Sequence, residues 1–274
     1  KAEEYWTLDG ALQTSEGREF LARVWRKEGN KFEPVTAEEA YAAQALLEKA
    51  VFRVGAVVRK ERKRRALAPL ITSKLQQEGA NRLHFTAKRT MMVAQQLYEG
   101  VELGDEGSVA LITYMRTDST RISDDALKAV RTYISEQYGK EYLPDESNVY
   151  RTKKTAQDAH EAIRPTSMEY PPERVKSYLS EEQYKLYRLI WQNFVACQMV
   201  PAIYDQTSVD IDAGIFQLRT SGSILKFAGF LAAHGAESIV ENDDEAGEGG
   251  SRDLPVLHEG ETLQCLRLLA EQHF

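Results

Sequence analysis

Tyr114 and Arg116, two residues apart, form the pair of side chains best suited in this sequence to act on a phosphate. They follow a short apolar run at residues 109–112, whose length and β-branched content predict a buried strand. Alternate residues of a strand share a face, so the phenol and the guanidinium could point the same way, and Arg binds phosphate through two parallel hydrogen bonds. A tyrosine that ends an apolar run can equally be a core residue whose hydroxyl is hydrogen-bonded. The residues alone leave both roles open.

Three stretches of the chain resemble one known family. The segment ITYMRTDST, residues 112–120, resembles the active-site strand of type IA DNA topoisomerases. AHEAIRPT at residues 159–166 and SKLQQEGANRL at residues 73–83 are similar to two further segments of the same family. All three occur in the family's order. The chain is therefore identified as a central fragment of a bacterial type IA topoisomerase.

The resemblance implies a role for three catalytic residues. Tyr114 attacks a backbone phosphate and forms a 5'-phosphotyrosyl link, and Arg116 neutralises the charge that builds on the phosphate oxygens. A phenol ionises with a pKa of about 10 in water, so a tyrosine nucleophile needs an activator or a nearby cation at neutral pH. His160 binds the scissile phosphate or assists with a proton. Its alternative role is that of a hydrogen-bonded helix residue, and an H-E-x-x-H zinc motif is excluded because the fourth residue after it is Arg164.

The resemblance also implies a set of DNA-contacting residues around the nucleophile. Helix-surface and turn-capping roles explain several of them equally well, and those alternatives stay open. The set comprises Gln95, Glu99, Thr113, Thr117, Asp118 and Arg164.

The order of predicted elements is β-rich, α-rich, β-rich, which indicates an α+β multidomain fold. We predict a discontinuous β-rich arch at residues 1–65 and 201–274, with strands that include residues 51–58, 223–230 and 253–257. An inserted helical domain at residues 66–200 carries the nucleophile. Within it, helices at 73–83 and 86–99 and a loop at 100–108 predict a winged-helix-like (CAP-like) layout, and a short helix is predicted at 156–163.

Composition places limits on the partners. The net charge of -7 argues against simple electrostatic coating of nucleic acid, yet residues 53–65 hold seven Lys or Arg against one Glu. Such a stretch could contact phosphates or be a solvated face. A second, acidic and glycine-rich stretch at residues 241–252 predicts a mobile surface loop. Two lone cysteines and the lack of a long apolar run fit a cytoplasmic protein with no membrane partner, and the resemblance implies association with the nucleoid.

We expect this chain to be part of a longer protein, because it does not begin with Met and lacks the family's acidic, metal-binding module. The resemblance implies Mg2+ in the full-length enzyme, with ligands outside this chain and no metal bound within it. The expected partners are single-stranded or negatively supercoiled DNA and the remaining domains of the same polypeptide, and the expected state is a monomer. Alone, the chain should not relax supercoils. Two rival hypotheses are a non-enzymatic winged-helix DNA-binding module and a purely architectural hinge.

Overall fold

The computed structural model describes residues 4–150, 160–235 and 254–274 and divides the chain into two compact units. The sheet unit comprises Lys1–Lys63, Ile203–Phe227 and Val240–Phe274. The helical unit comprises Arg64–Ala202 and Ala228–Ile239. The fold is therefore α+β, with helix-rich sequence interrupting a sheet-forming one.

Strands and helices occur in the following bounds. The strands are β1 Tyr5–Gln13, β2 Glu19–Lys27, β3 Asn30–Lys31, β4 Phe52–Arg64, β5 Val101–Glu102, β6 Ser108–Val109, β7 Ala202–Ala213, β8 Phe216–Phe227 and β9 Thr262–His273. The α-helices are α1 Ala37–Leu47, α2 Thr72–Leu83, α3 Ala87–Glu99, α4 Asp124–Gln137, α5 Pro172–Val175 and α6 Glu181–Cys197. In the described residues, no helix is both long and apolar enough to cross a bilayer.

The sheet unit is organised around one antiparallel sheet that closes on itself. Its strand order is β1-β9-β4-β7-β8-β2-β3, and β1 pairs with β2 as well as with β9. Closure leaves an interior filled by alternate side chains of the strands, among them Leu12, Phe52 and Phe216. Helix α1 adds Leu47 to this core, and its start is capped by the hydroxyl of Thr36.

The helical unit packs α2, α3 and α6 together. His84, with a left-handed φ of 56°, ends α2 and begins the short turn to α3. Gly79 permits close approach of these two helices, because a Cβ there would lie 2.7 Å from the hydroxyl of Thr90 on α3. The hairpin of β5 and β6 follows α3, so the predicted helix-turn-helix and wing are present. Ser180 and Gln183 form the capping box at the start of α6.

Two strands predicted from the sequence differ from the structure: one lies just before Tyr114, and the other lies where the chain leaves the sheet unit near Phe227. The run at residues 109–112 is not a regular strand: Val109 ends β6, and Ile112 makes a single bridge with Pro165. The pairing stops there because the amide of Leu111 donates to the carbonyl of Leu97 and the amide of Arg164 donates to the hydroxyl of Thr113. The strand predicted at residues 223–230 ends at Phe227. There the chain turns into a 3-10 helix, Gly229–His234, because Gly229 has a φ of 48° and lies close to the backbone of Pro201.

Four other predicted elements differ from the structure or lie, wholly or in part, outside the residues that it describes. The strand predicted at residues 51–58 runs on through the basic stretch to Arg64. Residues 254–257 form no strand, consistent with Pro255, whose nitrogen cannot donate to a ladder. Of the helix predicted at 156–163, residues 160–163 are not helical and the remainder lies outside the described residues. The acidic loop predicted at residues 241–252 also lies outside them.

Candidate active site

The segment that carries Tyr114 is extended, and its side chains alternate between solvent and core. Tyr114 is 44% exposed, whereas its neighbour Met115 is fully buried. The alternation continues for two more pairs, with Arg116 and Asp118 exposed and Thr117 and Ser119 buried. The phenol and the guanidinium therefore both leave the exposed side of the segment.

Residues 162–166, the AIRPT part of the second motif, hold one edge of this segment. The amide of Thr113 donates to the carbonyl oxygen of Arg164 at 2.9 Å, and the Thr113 hydroxyl donates to the carbonyl oxygen of Ala162 at 2.7 Å. The amide of Thr166 donates to the carbonyl of Leu111 at 3.1 Å. These bonds set the position of Tyr114 through the residue directly before it.

The start of α2 holds the other edge of the segment through Thr72. Its amide donates to the carbonyl oxygen of Thr117 at 2.9 Å, and its hydroxyl donates to the carbonyl oxygen of Met115 at 2.8 Å. The same hydroxyl accepts from the amide of Thr117 at 2.9 Å. The first residue of α2, directly before the third motif, is thus bonded to the residues on both sides of Arg116.

An open cleft of about 510 Å³ lies where the three motifs meet. The first turn of α2 supplies backbone amides that have no partner within the helix and carries the positive end of the helix dipole. Arg116 and His160 add side chains that donate to anions, and Asp118 adds one carboxylate. The lining residues are Ile71, Thr72, Ser73, Arg116, Thr117, Asp118 and His160. A cleft with these donors is suited to binding a phosphate group.

Helix α3 supplies the residues next to the exposed phenol. The ring of Tyr98 lies edge to face with that of Tyr114, with the centroids 5.3 Å apart. On the same helix, the amide of Gln95 donates to the carboxylate of Glu99 at 2.6 Å; Gln95 is half-buried, Glu99 is exposed, and neither lines the cleft. Sequence reasoning missed Tyr98, although it directly precedes the predicted Glu99. It also missed Thr72, which directly precedes the third motif.

Three of the predicted DNA-contacting residues make mainly internal bonds. The Thr113 hydroxyl bonds to residues 162 and 164, and Thr117 is 7% exposed with its hydroxyl accepting from the amide of Ser119 at 3.1 Å. The side chain of Arg164 is 11% exposed and donates to the carboxylate of Glu161 at 2.6 Å. Their contact with DNA stays a prediction, and their observed bonds shape the segment.

Within residues 4–150, 160–235 and 254–274, no three His, Cys, Asp or Glu side chains are grouped so that they could hold a metal ion. The Mg2+ that the resemblance implies therefore has no matching set of donors among these residues.

Comparison with known proteins identifies relatives over the whole chain. The family model described as DNA topoisomerase matches residues 1–274. DNA topoisomerase 1 of Xylella fastidiosa strain Temecula1 is 46% identical over 279 residues, and its counterpart in strain 9a5c is 45% identical. Both alignments cover 99% of this chain and 34% of the relative, so the chain spans about a third of their length.

A solved structure is similar in fold as well as in sequence. Full-length topoisomerase I from Thermotoga maritima superposes with a TM-score of 0.71 and 31% identity. The match covers 100% of this chain and 40% of that structure. The chain therefore shares its fold, a large antiparallel sheet and several helices, with part of this solved topoisomerase I.

Proposed function

The chain belongs to the type IA DNA topoisomerase family, and from this premise we propose that Tyr114 is the nucleophile that opens and reseals one DNA strand. The observation that supports the proposal is the meeting of three separate segments at one cleft, whose lining includes Arg116, two residues after this tyrosine, but not Tyr114 itself. Arg116, His160 and the first turn of α2 line that cleft, and each can donate to an anion.

The proposed step transfers a phosphoryl group from a sugar to the phenol. The Tyr114 oxygen attacks a backbone phosphorus and loses its proton, a new bond joins this oxygen to the phosphorus, and the bond from phosphorus to the 3' oxygen breaks. The released 3' oxygen takes up a proton, leaving a 3'-hydroxyl and a 5'-phosphotyrosyl link. Because a phenolate is also a good leaving group, the reverse attack by the 3'-hydroxyl reseals the strand without nucleotide hydrolysis.

Each donor group of the cleft has a role in phosphate binding or proton transfer that follows from its chemistry. Arg116 binds two oxygens of the phosphate and offsets the charge that grows on them during attack. The amides at the start of α2 bind the same group from the other side. His160 donates to the phosphate or carries a proton to or from the sugar oxygen. Gln95, Glu99, Thr113, Thr117, Asp118 and Arg164 support the bound strand or the segment that holds it.

The complete reaction of the longer protein is passage of a strand through the break, which relaxes negative supercoils. In this proposal the partners are single-stranded or negatively supercoiled DNA and the remaining domains of the same polypeptide. Type IA topoisomerases are generally Mg2+-dependent, and the ion is bound by residues beyond this chain. The chain alone binds single-stranded DNA weakly as a monomer and does not relax supercoils. The longer protein acts in the cytoplasm at the nucleoid.

Covalent trapping on a single-stranded oligonucleotide tests the proposal. The oligonucleotide carries a label at its 3' end, so only a 5'-phosphotyrosyl link transfers label to protein. A protein of the relatives' full length that contains this chain should acquire the label with Mg2+, and its Tyr114→Phe variant should not. A Tyr178→Phe variant, which alters an exposed tyrosine outside the cleft lining, is the matched control. Equal labelling of the Tyr114→Phe variant would rule out this nucleophile.

A second candidate function is that of a DNA-binding module without cleavage. It is favoured by the arrangement of α2, α3 and the β5–β6 hairpin, which is the layout of a winged helix. In that case Tyr114 is structural, and relaxation by the longer protein persists in the Tyr114→Phe variant. The trapping experiment therefore separates the two candidates.

A further inference from the structure

The outer half of β4 is a strand exposed on both faces. Residues 58–63 are all exposed, whereas Phe52 and Val54 at its other end are buried in the core of the sheet unit. The partner strand β9 pairs with β4 at Phe52 and Arg53, near the start of the strand. The basic residues detected in the sequence therefore lie on a projecting part of the sheet rather than in a loop.

The charges on the two faces of this strand differ. Glu61 lies 3.3 Å from the amine of Lys226 on β8, and Lys226 also lies 3.9 Å from Asp205 on β7. These ion pairs place both acids on one face of the sheet. Successive side chains of a strand point to opposite faces, so Lys60 and Arg62 lie on the other face, opposite that of Glu61.

On the face that carries Lys60 and Arg62, the acids of β7 are bonded elsewhere: Asp210 pairs with Arg219, and Asp212 accepts from Gln217. On β7, the residues on either side of Asp205 are Tyr204 and Gln206, which point to this face. Their register partners on β8 are Leu225 and Ser223. All four are neutral, and in the part of the chain that the structure describes no carboxylate forms an ion pair with Lys60 or Arg62.

Protection of a strand edge accounts for charge on this strand but not for its uneven distribution between the two faces. Charged side chains, Lys above all, discourage edge-to-edge pairing. Residues 59–63 carry four cations and one acid, in a chain of net charge -7. On one face, the two cations are side by side, about 6.6 Å apart along a strand that rises about 3.3 Å per residue.

We propose that Lys60 and Arg62 form a second nucleic-acid contact on the sheet unit, which binds the phosphate backbone of a DNA strand. This inference rests on the proposed function only in taking DNA as the ligand, and it does not involve the cleavage chemistry of Tyr114. The contact is electrostatic and independent of base sequence, because both Lys60 and Arg62 offer positive charge to the phosphate backbone.

The salt dependence of binding tests this contact with the 274-residue chain. Affinity for a labelled oligonucleotide is measured by fluorescence anisotropy between 50 and 200 mM salt, for single-stranded and duplex DNA. The double variant Lys60→Gln/Arg62→Gln should reduce the steepness of log affinity against log salt by about 1.4 for a single strand or about 1.8 for a duplex. If the full reduction in slope appears with only one of the two DNAs, that DNA, single-stranded or duplex, is the form that this face binds.

The matched control is Arg59→Gln/Lys63→Gln, which removes the same charge from the same strand on the opposite face. We expect its slope to change clearly less, and both variants to keep the thermal unfolding midpoint of the parent chain. Equal changes in both variants, or no change in either, would overturn the inference. A parent chain that binds no DNA would also overturn it, whereas the trapping experiment on Tyr114 would remain a separate test of the proposed function.

Discussion

The ring of Tyr98 meets the ring of Tyr114 edge to face, with centroids 5.3 Å apart and planes inclined by 61°. Tyr98 lies in the last turn of α3, and Tyr114 lies in the segment bonded to residues 162–166 and to Thr72. The contact joins a rigid helix to a phenol that is otherwise largely open to solvent. It limits the orientations of the Tyr114 ring and so favours one position of the attacking oxygen.

Loss of the Tyr98 ring should slow DNA cleavage without weakening DNA binding. An aromatic pair contributes about 0.5–1.5 kcal/mol, which corresponds to a reduction of roughly twofold to tenfold if the contact orients the nucleophile. We expect this reduction in single-turnover cleavage by the Tyr98→Leu variant of the longer protein. Tyr98→Phe keeps the ring and should cleave at the parent rate. If both variants are equally slow, the ring contact is not the cause.

Replacement of Arg116 by lysine should lower the cleavage rate by about 10²-fold, because one ammonium cannot reproduce the two parallel hydrogen bonds of a guanidinium. The measurement is the rate of covalent adduct formation at saturating oligonucleotide. Arg121→Lys makes the same change five residues later, at an exposed position outside the cleft lining, and should leave the rate unchanged. A similar loss in both variants would show that the effect is not specific to Arg116 in the cleft.

Thr72→Val should destabilise the helical unit by about 1–3 kcal/mol, because the amide of Thr117 and the carbonyl of Met115 lose their shared hydroxyl partner. Valine keeps the shape of the side chain, so the loss reports the hydrogen bonds. The free energy of unfolding is measured in urea. Thr72→Ser keeps the hydroxyl and should lose less. Equal stability of the Val and Ser variants would show that these bonds contribute little.

His234 should make stability depend on pH between neutrality and about pH 4. Burial, and then the positive charges of Arg82 and Arg64, lower the pKa of His234 from 6.5 to about 4. The Arg82 guanidinium lies 3.4 Å from Nδ1, which suits a neutral ring that accepts there. As the pH falls below 6.5 the unfolded chain takes up a proton that the folded chain does not, so stability falls until about pH 4.

The expected loss from His234 is about 3 kcal/mol over this range, since one pKa unit corresponds to about 1.4 kcal/mol. It is measured as the unfolding free energy of the parent chain and of His234→Asn at several pH values from 7 to 4. The variant retains an oxygen that can accept from Arg82 and should show a weaker pH dependence. The carboxyl groups titrate in both proteins, so they affect both curves of unfolding free energy against pH equally. If the two curves are parallel, His234 is not the source of the pH dependence.

Local sequence predicted the elements whose signals span a few residues. Thr36 with Glu39 and Ser180 with Gln183 each predict a helix start at a capping box. Both hydroxyls accept from the amide three residues on, and the box at Ser180 is complete, whereas the Glu39 carboxylate accepts from the amide of Val35 instead of that of Thr36. The motif around Tyr114 indicated the family, and the comparisons confirm it. The strand predicted at residues 109–112 was wrong because the amides that would extend its pairing, those of Leu111 and Arg164, donate to the Leu97 carbonyl and the Thr113 hydroxyl instead.

The sequence by itself determined the helix caps, the β-rich and helix-rich composition of the segments, and the side chains capable of phosphate chemistry. Only the tertiary structure decided which of them meet: Thr72 bonds to Thr117 across 45 residues, and His160 reaches the cleft of Arg116 from another segment. It also decided that Lys60 and Arg62 lie opposite the paired Glu61. Such contacts depend on the packing of distant segments, which the local preferences of a residue and its near neighbours do not encode.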